Sequence, residues 1–105
     1  MTEPTDQLTD IQFAILDAMA DDAENIEQIY LDANSEYING ERPNIKYLLH
    51  TLIDEIVCLL KGGYVEPQYS HNEKIAPLSS VNLSALHYYW FSPTDKGRAA
   101  WQAHG

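Results

Sequence analysis

The sequence predicts a small, mainly α-helical domain with one antiparallel β-hairpin, an α+β fold in the order helix, helix, helix, strand, strand, helix. Three observations favour this fold. Apolar residues recur at helical spacing between residues 43 and 61. Residue patterns typical of helix N-termini precede the other helical segments. Two short strand-prone segments flank a polar stretch after the third helix, which is the pattern of a hairpin with a long connection.

The first helix is predicted to start at Thr9. Thr9 and Gln12 stand three residues apart, which is the spacing of a capping box. The residues after them recur at helical spacing and predict a buried stripe: Ile11, Ala14, Ile15, Ala18 and Met19.

The second helix follows the acidic pair at residues 21 and 22. Asp21 and Glu24 are expected to cap this helix, because carboxylates at a helix N-terminus accept from free backbone N–H groups and suit the dipole. Its predicted apolar face consists of Ile26, Ile29, Tyr30 and Ala33.

The third helix is predicted to run from Pro43, in its first turn, to about Lys61, after a loop over residues 34–42. Its apolar positions fall within about 140° of the helical wheel, and they are Ile45, Leu48, Leu49, Leu52, Ile53, Ile56, Leu59 and Leu60. The pair Gly62 and Gly63 is expected to end it, because glycine tolerates the left-handed conformation that closes helices.

The remaining residues predict a hairpin and a closing helix. Residues 64–66 form a strand stopped by Pro67, and the aromatic residues 86–91 form its partner. Ser92 is expected to cap the last helix, with Pro93 in its first position. Its inward residues are predicted to be Ala99, Ala100 and Trp101.

Two stretches resemble the winged-helix superfamily. Residues 59–66 read Leu-Leu-Lys-Gly-Gly-Tyr-Val-Glu and are similar to the exit of that family's third helix into its first wing strand. Residues 91–98 read Phe-Ser-Pro-Thr-Asp-Lys-Gly-Arg and resemble the turn that follows the second wing strand and opens a further helix. The resemblance extends over about residues 8–101. It implies a winged-helix-like fold and, for most of the superfamily, DNA binding with the third helix in the major groove.

Domain organisation and localisation follow from length and composition. The 105 residues predict one domain over residues 9–105 after a flexible acidic N-terminus at residues 1–8. The polar start is unlike a signal peptide, and the lone Cys58 permits no internal disulfide. We therefore expect a soluble, cytoplasmic protein.

The charge is strongly negative and unevenly distributed. The formal net charge is −10, and residues 1–37 contain ten acidic residues and no lysine or arginine. Such a field attracts basic partners and repels phosphate backbones and membranes, although an acidic bias can also serve solubility alone. The predicted partner-binding acidic face consists of Asp17, Asp21, Asp22, Glu24 and Glu27.

The winged-helix resemblance points to a second surface, on the third helix and the wing. Its candidate recognition residues are Asn44, Lys46, Tyr47, His50, Thr51 and Lys74. The charge on this surface does not favour DNA, because its lysines are opposed by Asp54 and Glu55 and it lacks a basic stripe. A pair of such surfaces in a homodimer could still bring the basic residues together.

No pattern for catalysis, a cofactor or a metal site is evident in the sequence. His50 and Asp54 stand one helical turn apart, but such a pair is more often a surface hydrogen bond than a site. Cys58 is interpreted as a half-buried filler on the third helix. The leading hypothesis is a non-enzymatic regulatory or adaptor domain that acts through protein contacts. The alternatives are a dimeric DNA-binding transcriptional regulator and an acidic inhibitor, or DNA mimic, that neutralises a basic protein.

Overall fold

The computed structural model describes residues 8–34, 47–69, 79 and 81–104. In chain order the described elements are α1 (Asp10–Ala18), β1 (Glu24–Asn25), α2 (Ile26–Ala33), α3 (Leu49–Lys61), β2 (Val65–Gln68), a short 3-10 helix (Leu86–Tyr88), β3 (Trp90–Pro93) and α4 (Asp95–His104). The fold is therefore mainly helical with a small antiparallel sheet, as predicted. Within the described ranges, the helices are too short or too polar to cross a bilayer.

The sheet has three strands in the order β1-β3-β2, not the predicted hairpin of two. On one side β3 pairs antiparallel with β1, where Glu24 lies opposite Phe91. On the other side it pairs antiparallel with β2, from Val65 opposite Pro93 to Gln68 opposite Trp90. The sequence analysis missed β1 because a two-residue strand has no periodicity to detect.

The hydrophobic core lies between the helices and the sheet. Phe91 on the central strand is fully buried, as are Ile15 on α1, Ile29 on α2 and Ile56 on α3. Leu8, which precedes α1, also belongs to this core and is only 8% exposed. Residues from every helix and from the central strand thus contact one another, so the sheet and the helices stabilise each other.

The cap of α1 is confirmed and the cap of α2 is corrected. The Thr9 hydroxyl accepts from the Gln12 backbone N–H, and the Gln12 side chain accepts from the Thr9 N–H, which is the complete capping box. In α2 the cap is Asn25, whose side chain accepts from the Gln28 N–H at 2.9 Å. Glu24 is not the cap, because it precedes the cap residue by one position and its backbone pairs with Phe91 in the sheet.

The third helix begins at Leu49 instead of Pro43. The Asn34 side chain accepts from the Tyr47 N–H at 2.8 Å and donates to the Tyr47 carbonyl at 3.2 Å. These bonds occupy both backbone groups of Tyr47, and Leu48 is extended. Leu48 and Leu49 are therefore 59% and 45% exposed, and their predicted burial is wrong.

The second half of the predicted third-helix stripe is confirmed. Its buried residues are Leu52, Ile56, Leu59 and Leu60. The helix ends at the glycine pair as expected, and Gly63 has a left-handed φ of 81°. The first residues of the predicted helix, Pro43 and Ile45, lie outside the described ranges.

Both predicted strands have different bounds in the structure. β2 continues through Pro67, which an edge strand tolerates because a missing N–H on its open side breaks no ladder bond. Residues 86–88 form the 3-10 helix instead of a strand, and β3 starts at Trp90.

The closing helix is capped two residues later than predicted. Thr94, not Ser92, supplies the cap, because its hydroxyl accepts from the Gly97 N–H at 3.0 Å. The same hydroxyl donates to the Gly63 carbonyl at 2.6 Å, which ties the start of α4 to the turn after α3. Ala100 is buried as predicted, whereas Ala99 is exposed.

Candidate functional site

A groove with a volume of about 710 Å³ lies along α1 and reaches α2. Its described lining comprises five acidic residues and five apolar or aromatic ones. They are Asp10, Phe13, Ala14, Asp17, Ala18, Asp21, Glu24, Asp32, Ala33 and Tyr47. We call this feature the acidic groove.

Helical spacing on α1 explains how carboxylates and apolar side chains share one wall of the acidic groove. Asp10 and Asp17 are seven residues apart, which corresponds to about two turns, so both project from the same face. Phe13 and Ala14 lie between them on that face. The opposite face of α1 is packed into the core through its buried residues, Ile15 and Leu16.

Hydrogen bonds hold two of the carboxylates in place. The indole Nε1 of Trp101 on α4 donates to Asp17 Oδ1 at 3.1 Å. Within α2, Gln28 Nε2 donates to Asp32 Oδ1 at 2.9 Å. The Asp17 carboxylate can accept from further donors, because a carboxylate can accept about four hydrogen bonds.

An aromatic contact fixes the apolar part of the groove. The ring of Phe13 stacks on the imidazole of His104, with centroids 4.5 Å apart and planes inclined by 27°. α4 therefore supports the groove wall at two points, through His104 and through Trp101. Phe13 is only half-buried, so part of its ring is open to a ligand.

No lysine or arginine is found among the described residues that line the acidic groove. Two of the basic side chains elsewhere in the described structure bond to backbone carbonyls. Arg98 donates to Ala20 at 3.1 Å, and Lys96 donates to Gly62 at 2.9 Å and lies over the Tyr64 ring. The five carboxylates of the described lining carry like charge and create a negative field there.

The structure brings together part of the predicted acidic face. Asp17, Asp21 and Glu24 line the groove, whereas Asp22 and Glu27 are exposed away from it. The Asp22 carboxylate accepts instead from the Ala23 N–H at 2.9 Å.

Sequence reasoning missed two of the groove acids, Asp10 and Asp32. The two-turn spacing of Asp10 and Asp17 would have indicated the first of them. Asp32 faces the groove only because α2 packs beside α1, and a single sequence does not show that packing.

The predicted recognition surface is only partly described. Asn44, Lys46 and Lys74 lie outside the described residues. His50 is exposed on α3, and Thr51 is half-buried. Tyr47 is not on the outward face of a helix, because it precedes α3 and lines the acidic groove.

The remaining candidate residues do not form a site in the structure. No hydrogen bond joins His50 and Asp54 within the described ranges. Cys58 is exposed, so its interpretation as a half-buried filler is wrong. In the part of the chain that the structure describes, no three His, Cys, Asp or Glu side chains are placed to hold a metal ion together.

Comparison of the chain with family models, with curated proteins and with solved structures finds no significant match.

Proposed function

We propose that the protein is a non-enzymatic, winged-helix-like adaptor that binds a basic segment of a protein partner in the acidic groove. The observation that carries this proposal is the composition of the groove. Five carboxylates share the described lining with five apolar or aromatic residues, and that lining contains no basic residue. The partner is therefore a polypeptide segment with lysines or arginines on one face and apolar side chains on the other.

The apolar part of the groove lining supports a polypeptide ligand. Ala14, Ala18 and Ala33 line the groove together with Phe13. An apolar side chain of the partner would pack against these residues, as in other complexes of an amphipathic helix with a groove. The carboxylates of the lining would then pair with basic side chains, whose aliphatic stems can cover the remaining apolar surface.

The arrangement of elements supports the winged-helix-like part of the proposal. α3 leads through the glycine pair into β2, which pairs antiparallel with the next strand, β3. α4 follows β3 directly, where the resemblance places the opening of a further helix. The described outer face of α3 does not favour DNA, because Asp54 and Glu55 offset Lys61 there.

Calorimetric titration with a defined peptide tests the proposal. The probe is a synthetic helical peptide with lysine and arginine on one face and leucine on the other. The groove variant combines Asp10→Asn and Asp21→Asn, two exposed positions of the lining. Removing these two charges from the groove lining should weaken binding of the peptide roughly tenfold, because each exposed ion pair contributes about 0.2–1 kcal/mol.

A matched control variant separates the groove from the overall charge. Asp22→Asn with Glu27→Gln removes the same two charges from exposed positions that do not line the groove. This variant should bind the peptide nearly as tightly as the unmodified protein. Equal losses of peptide affinity in both variants would show non-specific attraction and would contradict the proposal. The proposal would also be contradicted if a peptide with glutamate in place of its basic residues bound the unmodified protein equally well.

A further inference from the structure

A stripe of four side chains on the outer face of α3 is self-complementary in charge. Asp54, Val57, Cys58 and Lys61 follow one another at spacings of three, one and three residues, so they share one face of the helix. Asp54, Cys58 and Lys61 are exposed, and Val57 is half-buried. The stripe is thus acidic at one end, basic at the other and weakly polar in the middle.

The charged ends of the stripe cannot neutralise each other within one chain. Asp54 and Lys61 are seven residues apart, which corresponds to about 10 Å along the helix at 1.5 Å per residue. Neither side chain makes a hydrogen bond or ion pair with another described residue. Each end is therefore available to a group of opposite charge on another molecule.

We propose that this stripe binds a second copy of the chain, with the two α3 helices antiparallel about a twofold axis. When the axis passes between Val57 and Cys58, Asp54 and Lys61 both lie about 5 Å from it along the helix. Each Asp54 is then level with Lys61 of the partner subunit, and two ion pairs flank a centre made of two copies of Val57 and two of Cys58. This is the isologous contact that twofold symmetry requires, in which the same surface patch occurs on both subunits.

The position of the stripe keeps the acidic groove away from the interface. The opposite side of α3 packs into the core through Leu52, Ile56 and Leu59. At the flank of the helix, Glu55 Oε1 accepts from Gln12 Nε2 of α1 at 3.1 Å. The groove lies along α1 and α2, so the most negative surfaces of the two subunits do not meet. The proposal is therefore independent of the proposed function, and each can fail alone.

The contact is small, so we expect a weak dimer. α3 has 13 residues and is about 20 Å long. Two such helices bury less than the roughly 800 Å² per partner of standard interfaces. The dimer should accordingly dissociate at micromolar concentrations, which makes its dissociation constant measurable by sedimentation.

Charge reversal at the two ends of the stripe tests this geometry. Sedimentation equilibrium measures the dimer dissociation constant of the full chain, of Asp54→Lys, of Lys61→Asp and of the double variant, at one ionic strength. Each single variant places like charges opposite each other and should weaken the dimer at least about tenfold. The double variant restores both pairs with reversed polarity and should recover most of the affinity.

Two controls complete this test. Glu27→Lys makes the same charge change as Asp54→Lys at an exposed position on α2 and should leave the dimer intact. A short thiol-specific bis-maleimide should join two chains through Cys58, the only cysteine, and Asp54→Lys should prevent this cross-link. A protein that stays monomeric at high micromolar concentration would overturn the proposal. So would a dimer that is indifferent to both single reversals, or a double variant no better than either single one.

Discussion

Gly97 is buried where the first turn of α4 meets the turn after α3. A Cβ atom added to Gly97 would overlap the backbone carbonyl of Tyr64. The Thr94 hydroxyl also accepts from the Gly97 N–H at 3.0 Å, so the backbone here has little freedom to move away. The close approach of two backbone segments, not helix propensity, therefore requires glycine at this position.

Gly97→Ala should consequently destabilise the protein, by about 3 kcal/mol. Helix propensity alone predicts the reverse, because alanine favours a helix over glycine by about 1 kcal/mol. Equilibrium unfolding in urea measures the free energy of unfolding. The control is Gly62→Ala, where the added Cβ would meet the Tyr64 ring at 3.0 Å, which can shift, and would lie 3.3 Å from the Cys58 carbonyl oxygen, without the overlap found at Gly97. A gain in stability for Gly97→Ala would contradict the packing described for α4.

Asn34 shows what sequence patterns do not reveal about single residues. Its side chain is buried, donates to the Tyr30 and Tyr47 carbonyls and accepts from the Tyr47 N–H. Sequence analysis treats this asparagine as the first residue of a loop. The bonds that stop α3 from extending back to Tyr47 join residues 13 positions apart. Local composition therefore indicates that a loop begins at Asn34, but it does not indicate which backbone groups the Asn34 side chain bonds.

The start of α2 depends on Asn25, which also belongs to β1. Its side chain accepts from the Gln28 N–H, while its backbone pairs with Trp90. Asn25→Ala should lower the free energy of unfolding by about 1 kcal/mol, which is the usual value of an N-cap. Thermal and urea unfolding followed by circular dichroism measure this loss.

Asp21→Ala serves as the control for Asn25→Ala. Asp21 was expected to cap α2, but it lies in the turn before β1. Its removal should change stability by less than about 0.5 kcal/mol, as at most exposed sites. A larger loss for Asp21→Ala than for Asn25→Ala would support the earlier expectation against the observed cap.

The elements differ in how well the sequence predicts them. The helical period and the capping box predict α1, and the leucine-rich period predicts α3 from Leu52 onward. The bounds of the strands were not predictable in the same way, because β2 and β3 contain only four residues each. The two residues of β1 form a strand only because Phe91 and Trp90 lie beside them. Strand pairing of this kind depends on contacts that are distant in the sequence.

In the molecule as a whole, the uneven charge of the sequence becomes a localised surface. The absence of basic residues from the first 37 positions predicts an acidic region. It does not predict a groove, because the groove requires α2 to pack beside α1 and Tyr47 to reach the same place. Helix packing therefore determines which acidic residues lie together, and it separates Asp21, which lines the groove, from its neighbour Asp22.

Binding at the acidic groove can be followed through the indole groups of the two tryptophans. Trp101 donates its indole N–H to Asp17, which lines the acidic groove. Trp90 lies on β3 and does not line the groove. A basic side chain that pairs with Asp17 should change the environment of the Trp101 indole proton. It should not directly affect the Trp90 indole proton, because Trp90 does not line the groove.

The most direct test is a ¹H–¹⁵N NMR titration of the full chain with the basic amphipathic peptide. We predict that the Trp101 indole resonance shifts along with the backbone amides of Phe13, Ala18 and Ala33, while the Trp90 indole resonance stays in place. Shifts confined to α3 and the sheet, with Trp101 unchanged, would contradict the assignment of the acidic groove as the partner-binding site.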